Sequence, residues 1–220
     1  NAPPDVVALG HLPINCCHYN EQSGGVTLRD YPDAAYTSAH LFTSRHRGRW
    51  PMAPDRPIVH GEIFFANGFQ PAQLAQFGGE ACFVGPSEAW PARDLMMRML
   101  YEGMRWSNAS HFMDVSTGRS THDYYHAWSP VAVFVREWDR CFGSGQTVTR
   151  TLKVINSTSR DDPIEVIWNA SVDGREIAKG TRTFSLAPGG KSEPFAITLP
   201  MPSVGELAAG TLSLTARRDG

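Results

Sequence analysis

From Gln146 to the end of the chain, apolar residues fall at every second position in short runs, and turn residues separate the runs at spacings of about 8–12 residues. Val148, Leu152 and Val154 make one set, and Ile164, Val166 and Trp168 a second. Phe184 with Leu186, then Phe195, Ile197 and Leu199, then Leu212 with Leu214 complete the series. A period of two puts each set on one face of a strand, and strands that bury one face stack as two sheets. Asp173-Gly174 and Pro188-Gly-Gly supply hairpin-type turns. The pattern predicts a sandwich of five or six countable strands, a little short of a full immunoglobulin-type set.

The N-terminal part has a different texture. Residues 5–11 and 12–19 are short, mostly apolar extended segments broken by Gly10 and Pro13. Residues 33–42 suit a helix and 45–54 a loop. Pro57-Ile-Val-His-Gly-Glu-Ile-Phe-Phe is an apolar strand, bounded by Arg56-Pro57 and Asn67-Gly68. The Gly-rich stretch 67–86 reads as a long loop whose three phenylalanines argue against disorder. Residues 91–105 are the best helix: proline in the first turn, Asp94 early, Arg105 late, and Leu95, Met96, Met99 and Leu100 on an i, i+4 stripe. Residues 106–115 follow as a strand, so 57–115 is one βαβ unit. We therefore expect α/β plus all-β classes in one chain, with residues 1–128 forming the α/β part and a bridge, and 129–220 an immunoglobulin-like sandwich.

Bulk properties exclude several functions. The formal net charge of −2 across 220 residues leaves no basic footprint, so no nucleic-acid partner is expected. No apolar run approaches the roughly 20 residues needed to span a bilayer, so none is expected for a membrane either. Residues 1–5 lack the features of a signal peptide, and Asn1 follows no initiator methionine, which makes a processed chain or a piece of a longer one the expectation. The compartment stays open, a secreted or periplasmic setting being slightly favoured. Asn108, Asn156 and Asn169 head Asn-x-Ser/Thr triplets, which accept glycans only in a eukaryotic secretory setting.

Cys16, Cys17, Cys82 and Cys141 form no Cys-x-x-Cys pair, and His122 and His126 need a helix that Trp128-Ser-Pro disfavours. We expect no metal and no cofactor. Gly-x-Ser-x-Gly, Gly-x-Gly-x-x-Gly and Walker patterns do not occur.

In parallel barrels, reactive groups stand at the C-terminal ends of strands. Glu62 lies there on the 57–65 strand, and a carboxylate at such a place is costly to bury without partners. His18, Tyr19 and Asn20 close an earlier strand, and Trp106, His111 and Asp114 lie on or beside a later one; Asn67 is a possible loop contact. Each alone also suits an ordinary hydrogen-bonded packing role. Together they offer the aromatic faces, carboxylates and amides that bind sugar rings.

The succession His18-x-Asn20, Pro57-Ile-Val-His-Gly-Glu62, a helix, and Tyr101-Glu-Gly-Met-Arg-Trp106 before a last strand resembles the closing third of a glycoside hydrolase barrel. The resemblance is to the large retaining clan that includes β-galactosidases, β-mannanases and family 5 cellulases. It implies the C-terminal portion of a (β/α)8 (TIM) barrel followed by an immunoglobulin-like sandwich, acting on oligo- or polysaccharides. It also implies that Glu62 is the nucleophile, that Tyr19 falls near the sixth-strand polar group, and that Trp106 falls near the eighth-strand aromatic platform. His18, Asn67 and His111 are further substrate-binding candidates.

Retaining hydrolysis needs a second carboxyl about 5–5.5 Å from the nucleophile. The clan places it as Asn-Glu ending the fourth strand, and Asn20-Glu21 offers that dipeptide. Glu21, however, stands only 41 positions before Glu62, too few for the two βα units that would have to fit between them. Glu21 is therefore the weaker candidate, and the acid/base is expected outside this chain, which alone would then be inactive. Glu80 sits in the loop, with no rigid strand to hold it, and Glu102 reads as a solvated helix face. The alternative from another class is a non-catalytic carbohydrate- or protein-binding module. Oligomeric state and sugar specificity leave no mark in the sequence.

Overall fold

A computed structural model of the chain describes residues 15–17, 57–63, 71–106, 109–114 and 126–218; residues 15–17, 58–63 and 109–114 are described by their backbone. The segments 33–42 and 45–54 lie outside the described residues. The chain divides into two compact units, Asn1–Ala127 and Trp128–Gly220.

The first unit holds a three-stranded sheet, β1 (Asn15–Cys17), β2 (Ile58–Ile63) and β3 (Ala109–Asp114), in the order β1-β2-β3. Both pairings are parallel, which makes 57–115 the expected strand–helix–strand crossover.

The crossover differs from expectation in three places. The stretch read as a loop carries α1 (Pro71–Gly78) and a 3-10 turn, Gly79–Phe83. Pro71 opens α1 without losing a needed N–H, Leu74 is buried, and Gly79 ends it at φ 62. At Gly78 a Cβ would lie 2.7 Å from the Ala92 Cβ and 2.8 Å from the Cys82 Sγ, so glycine there permits the close approach of the following helix.

That helix, α2 (Pro86–Trp106), begins five residues before the expected start: Pro86, with Glu88 in the first turn, takes the role assigned to Pro91. Pro91 is interior and forfeits one ladder bond, which burial of Ala89, Ala92, Met96, Met97 and Met99 offsets. Trp106 is the last residue of α2, and β3 starts only at Ala109.

The second unit is a β-sandwich. One sheet runs β4 (Val131–Val135), β5 (Thr147–Asn156), β8 (Phe195–Pro200); the other runs β7 (Arg175–Phe184), β6 (Ile164–Val172), β9 (Gly210–Arg217). All pairings are antiparallel. Val148 and Leu152 of β5 and Ile197 and Leu199 of β8 pack with Ala170 of β6, so the inner faces of both sheets share one core. Sheet formation begins at Val131, ahead of the Gln146 start suggested by the alternation. Asp173 (φ 47) and Gly174 (φ 74) make the β6–β7 hairpin, both residues on the positive side as a type I′ turn requires. At 187–190, Gly190 N donates to Ala187 O at 2.8 Å, with Gly189 at φ 71.

The pair Phe184/Leu186 was expected to define one strand; instead β7 ends at Phe184, and Leu186 lies beyond it. β7 is an edge strand, and apart from Phe184 its residues level with the core positions of β6 are small or charged. Gly180 is level with Trp168, whose ring occupies the place of a Cβ, and Arg182 covers the Phe184 and Phe195 rings at 4.9 and 5.1 Å.

Candidate functional site

Parallel strands end on the same side, so the C-terminal ends of β1, β2 and β3 form one edge. In the middle strand Glu62 is the penultimate residue, and Ile63 is level with Asp114, the last residue of β3. Further back, Cys17, His60 and Phe112 are level across all three strands, as are Cys16, Val59 and His111. His111 thus belongs to the interior of the strand pairing, whereas Asp114 stands at the edge. The chain leaves β1 at Cys17, directly before His18 and Tyr19. His18, Tyr19, Glu21 and Asn67 themselves lie outside the described residues. Trp106, half-buried, caps the end of α2, and Glu80 is exposed on the 3-10 turn.

α2 carries a buried charged group. Glu102 was read as solvated, yet it is 2% exposed, and Arg93, Asp94 and Arg105 are buried with it. Arg98 Nε donates to Glu102 Oε1 at 2.7 Å, while Glu102 Oε2 has no hydrogen-bond partner. Burial pushes the Glu102 carboxyl above its usual range, opposed by Arg98 and then Arg105. Burial likewise lowers Arg105 to about 10, opposed by Glu102. The Arg105 guanidinium donates to the Ala127 carbonyl, and Arg93 lies 4.9 Å over the Trp90 ring. The Arg105 contact ties α2 to the last residue of the first unit. A helix buried around most of its circumference leaves no signal in a sequence that mixes charge and methionine so evenly.

Among the described residues no group of three or more His, Cys, Asp or Glu side chains is placed to hold a metal. Cys82 is buried and Cys141 exposed, both as free thiols. No helix is long and apolar enough to cross a membrane among the described residues.

The outer face of the β7-β6-β9 sheet is polar around one aliphatic residue, Ile167. Arg217 pairs with Glu165 at 2.7 Å, Lys179 with Glu176 at 2.9 Å, and Asn169 Nδ2 donates to Glu176 at 3.0 Å. Thr181, Thr183, Ser213 and Thr215 fill the register around them, and no aromatic residue interrupts the set. Of the glycan triplets, Asn169 is exposed on this face, while Asn156 is fully buried; Asn108 lies outside the described residues.

No protein-family model matches the chain, and no curated protein matches it. Among solved structures it is similar to the exo-chitosanase CsxA of Amycolatopsis orientalis, at 14% identity and TM-score 0.39 over 64% of this chain and 19% of that one. It is also similar to a β-D-mannosidase of Dictyoglomus thermophilum, at 19% identity and TM-score 0.24 over 40% and 11%. An alkylpurine DNA glycosylase of Pseudomonas fluorescens gives 10% identity and TM-score 0.26 over 68% and 45%. The chain therefore spans about a fifth or less of the two carbohydrate-active enzymes.

Proposed function

We propose that the chain is the C-terminal part of a retaining glycoside hydrolase, with Glu62 as its nucleophile, oligo- or polysaccharides as its substrates, and the three parallel strands as part of a (β/α)8 barrel. One observation carries the reading: a carboxylate-bearing residue stands next to the C-terminal end of the middle strand of a parallel sheet, on the edge where such folds gather their reactive groups.

In the reaction, a Glu62 carboxylate oxygen attacks the anomeric carbon as the bond to the leaving oxygen breaks. A second carboxylic acid gives its proton to that oxygen. The same group, now a base, takes a proton from water as the water oxygen attacks the anomeric carbon and releases Glu62 as carboxylate. That second group is proposed to lie outside this chain, in a more N-terminal part of the protein; Glu21 remains its weaker candidate. His18, Tyr19 and Asn67 are proposed as substrate contacts, and the second unit as an immunoglobulin-like support; Trp106 and His111 are not, because Trp106 ends α2 at the N-terminal side of β3 and His111 is set back from the C-terminal edge.

The binding-module alternative finds less to stand on. Sugar platforms use exposed aromatic faces, and the outer face of β7-β6-β9 presents hydroxyls and ion pairs.

The test is Glu62→Ala in the complete natural polypeptide, assayed on 4-nitrophenyl glycosides. Activity should fall about 10³-fold or more and return in part when azide takes the vacated carboxylate's place. Unchanged hydrolysis by the variant would remove Glu62 from the mechanism.

A further inference from the structure

The strand that carries Glu62 is not regularly paired. His60 is level with Phe112 and Ile63 with Asp114, so Gly61 and Glu62 together stand against the single residue Met113. An irregularity of opposite sense lies earlier. Ile58 and Val59 are level with Ala109 and His111, which leaves Ser110 as the extra residue on β3. The two cancel, and the strands are back in their starting register at the C-terminal edge.

The second bulge falls on the proposed nucleophile. Because strand residues alternate between faces, one extra residue reassigns the face of everything beyond it. Bulges recur beside active sites for this reason, since they re-aim a residue without moving the rest of the sheet. Glycine inside a strand weakens the ladder, and its usual purpose there is a bulge or a close backbone approach. Gly61 occupies the bulge in a strand otherwise made of Ile58, Val59, His60, Glu62 and Ile63.

We infer that Gly61 is a positioning residue of the glycosidase site: by accepting the bulged backbone it fixes where Glu62 stands at the C-terminal edge of the sheet. The inference rests on the reading of Glu62 as nucleophile. A β-branched residue at 61 favours the regular pleat and draws β2 toward one-to-one pairing with β3. A nucleophile displaced by about 1 Å loses about 10²-fold in rate while remote substrate contacts persist.

The experiment uses the complete natural polypeptide and a panel of 4-nitrophenyl β-glycosides (glucosaminide, galactoside, mannoside, glucoside). Gly61→Val, Gly61→Ala and Glu62→Ala are compared for kcat, KM and melting temperature. The expected result is a fall in kcat of about 10²-fold for Gly61→Val with KM within about 3-fold, and a smaller fall for Gly61→Ala. Gly61→Val with kcat within about 3-fold of wild type overturns the inference. Should Gly61→Val not fold, Gly61→Ala decides: a kcat loss of about 10-fold or more at constant KM supports the inference, and a smaller loss overturns it. Inactive Glu62→Ala beside active Gly61→Val rejects the positioning role alone. Active Glu62→Ala, or a wild-type protein that cleaves none of the panel, rejects the glycosidase reading and this inference with it.

Discussion

Adding one methyl group at Gly180 should destabilise the sandwich through a single ring. A Cβ built at Gly180 would lie 2.1 Å from Trp168 Cζ2, 2.5 Å from Cε2 and 2.8 Å from Cη2, all far inside the roughly 3.5–4.0 Å optimum for carbon contacts. Trp168, half-buried, packs against both core clusters and sits 6.5 Å from the Phe195 ring, so any retreat of the ring disturbs packing already made. Overpacking of this kind costs about 1–3 kcal/mol, and the depth of the clash points to the upper half of that range. For a domain of this size, about 2–3 kcal/mol corresponds to about 8–20 °C in melting temperature. The assay is urea unfolding of the whole chain, with hydrogen exchange at β6 and β9 amides reporting on the second unit alone. Trp168→Leu supplies the control. Once the ring is gone, Gly180→Ala should be neutral or slightly favourable, giving a coupling energy of about 2 kcal/mol between the sites. Gly180→Ala within about 0.5 kcal/mol of wild type, or additivity of the two changes, would refute the reasoning.

Other consequences concern buried polar groups. Asn156→Ala removes an amide that donates to the carbonyls of Arg160, Leu186 and Ala187 at 2.8, 3.0 and 3.0 Å and accepts from Thr158; stability should fall by about 3 kcal/mol, read as a shift in urea midpoint. Glu137 substitutes for a strand partner by accepting from Thr151 N and Oγ1, each at 2.7 Å, so Glu137→Ala should cost about 1–3 kcal/mol and speed exchange of the Thr151 amide; unchanged exchange rejects the role. For Glu102, burial raises the folded carboxyl pKa, against Arg98 and Arg105, so the stability it contributes is present below the unfolded pKa and lost as pH rises through the folded one. Glu102→Gln should therefore gain on wild type in α2 exchange protection between pH 4 and pH 7, and a flat difference would contradict that sign.

The strands that were legible are those with one face in the core. β5, β6, β8 and β9 show their alternation because their inward positions are Val, Leu, Ile, Phe and Trp. β7 hid itself because Gly180 and Arg182 take positions level with the core residues of β6. Gly78-Gly79 looked like loop chemistry, yet it closes α1, a helix too short and too thinly apolar to announce itself. Pro91 drew the start of α2 to the wrong proline because either could occupy a first turn. Of the candidate site, the strand-end position of Glu62 was readable from a proline-led apolar run. The bulge at Gly61 was not, since register belongs to a pair of strands and neither carries it alone. The burial of Glu102 was hidden for a similar reason: it depends on what surrounds the helix.

The most direct test of the account is to trap the glycosyl-enzyme. A 2-deoxy-2-fluoroglycosyl reagent, incubated with the complete natural polypeptide, should leave one sugar attached to the peptide spanning residues 58–63, with fragmentation placing it on Glu62. Attachment to a different carboxylate, or steady turnover with no trapped sugar, would contradict the assignment of Glu62 as nucleophile.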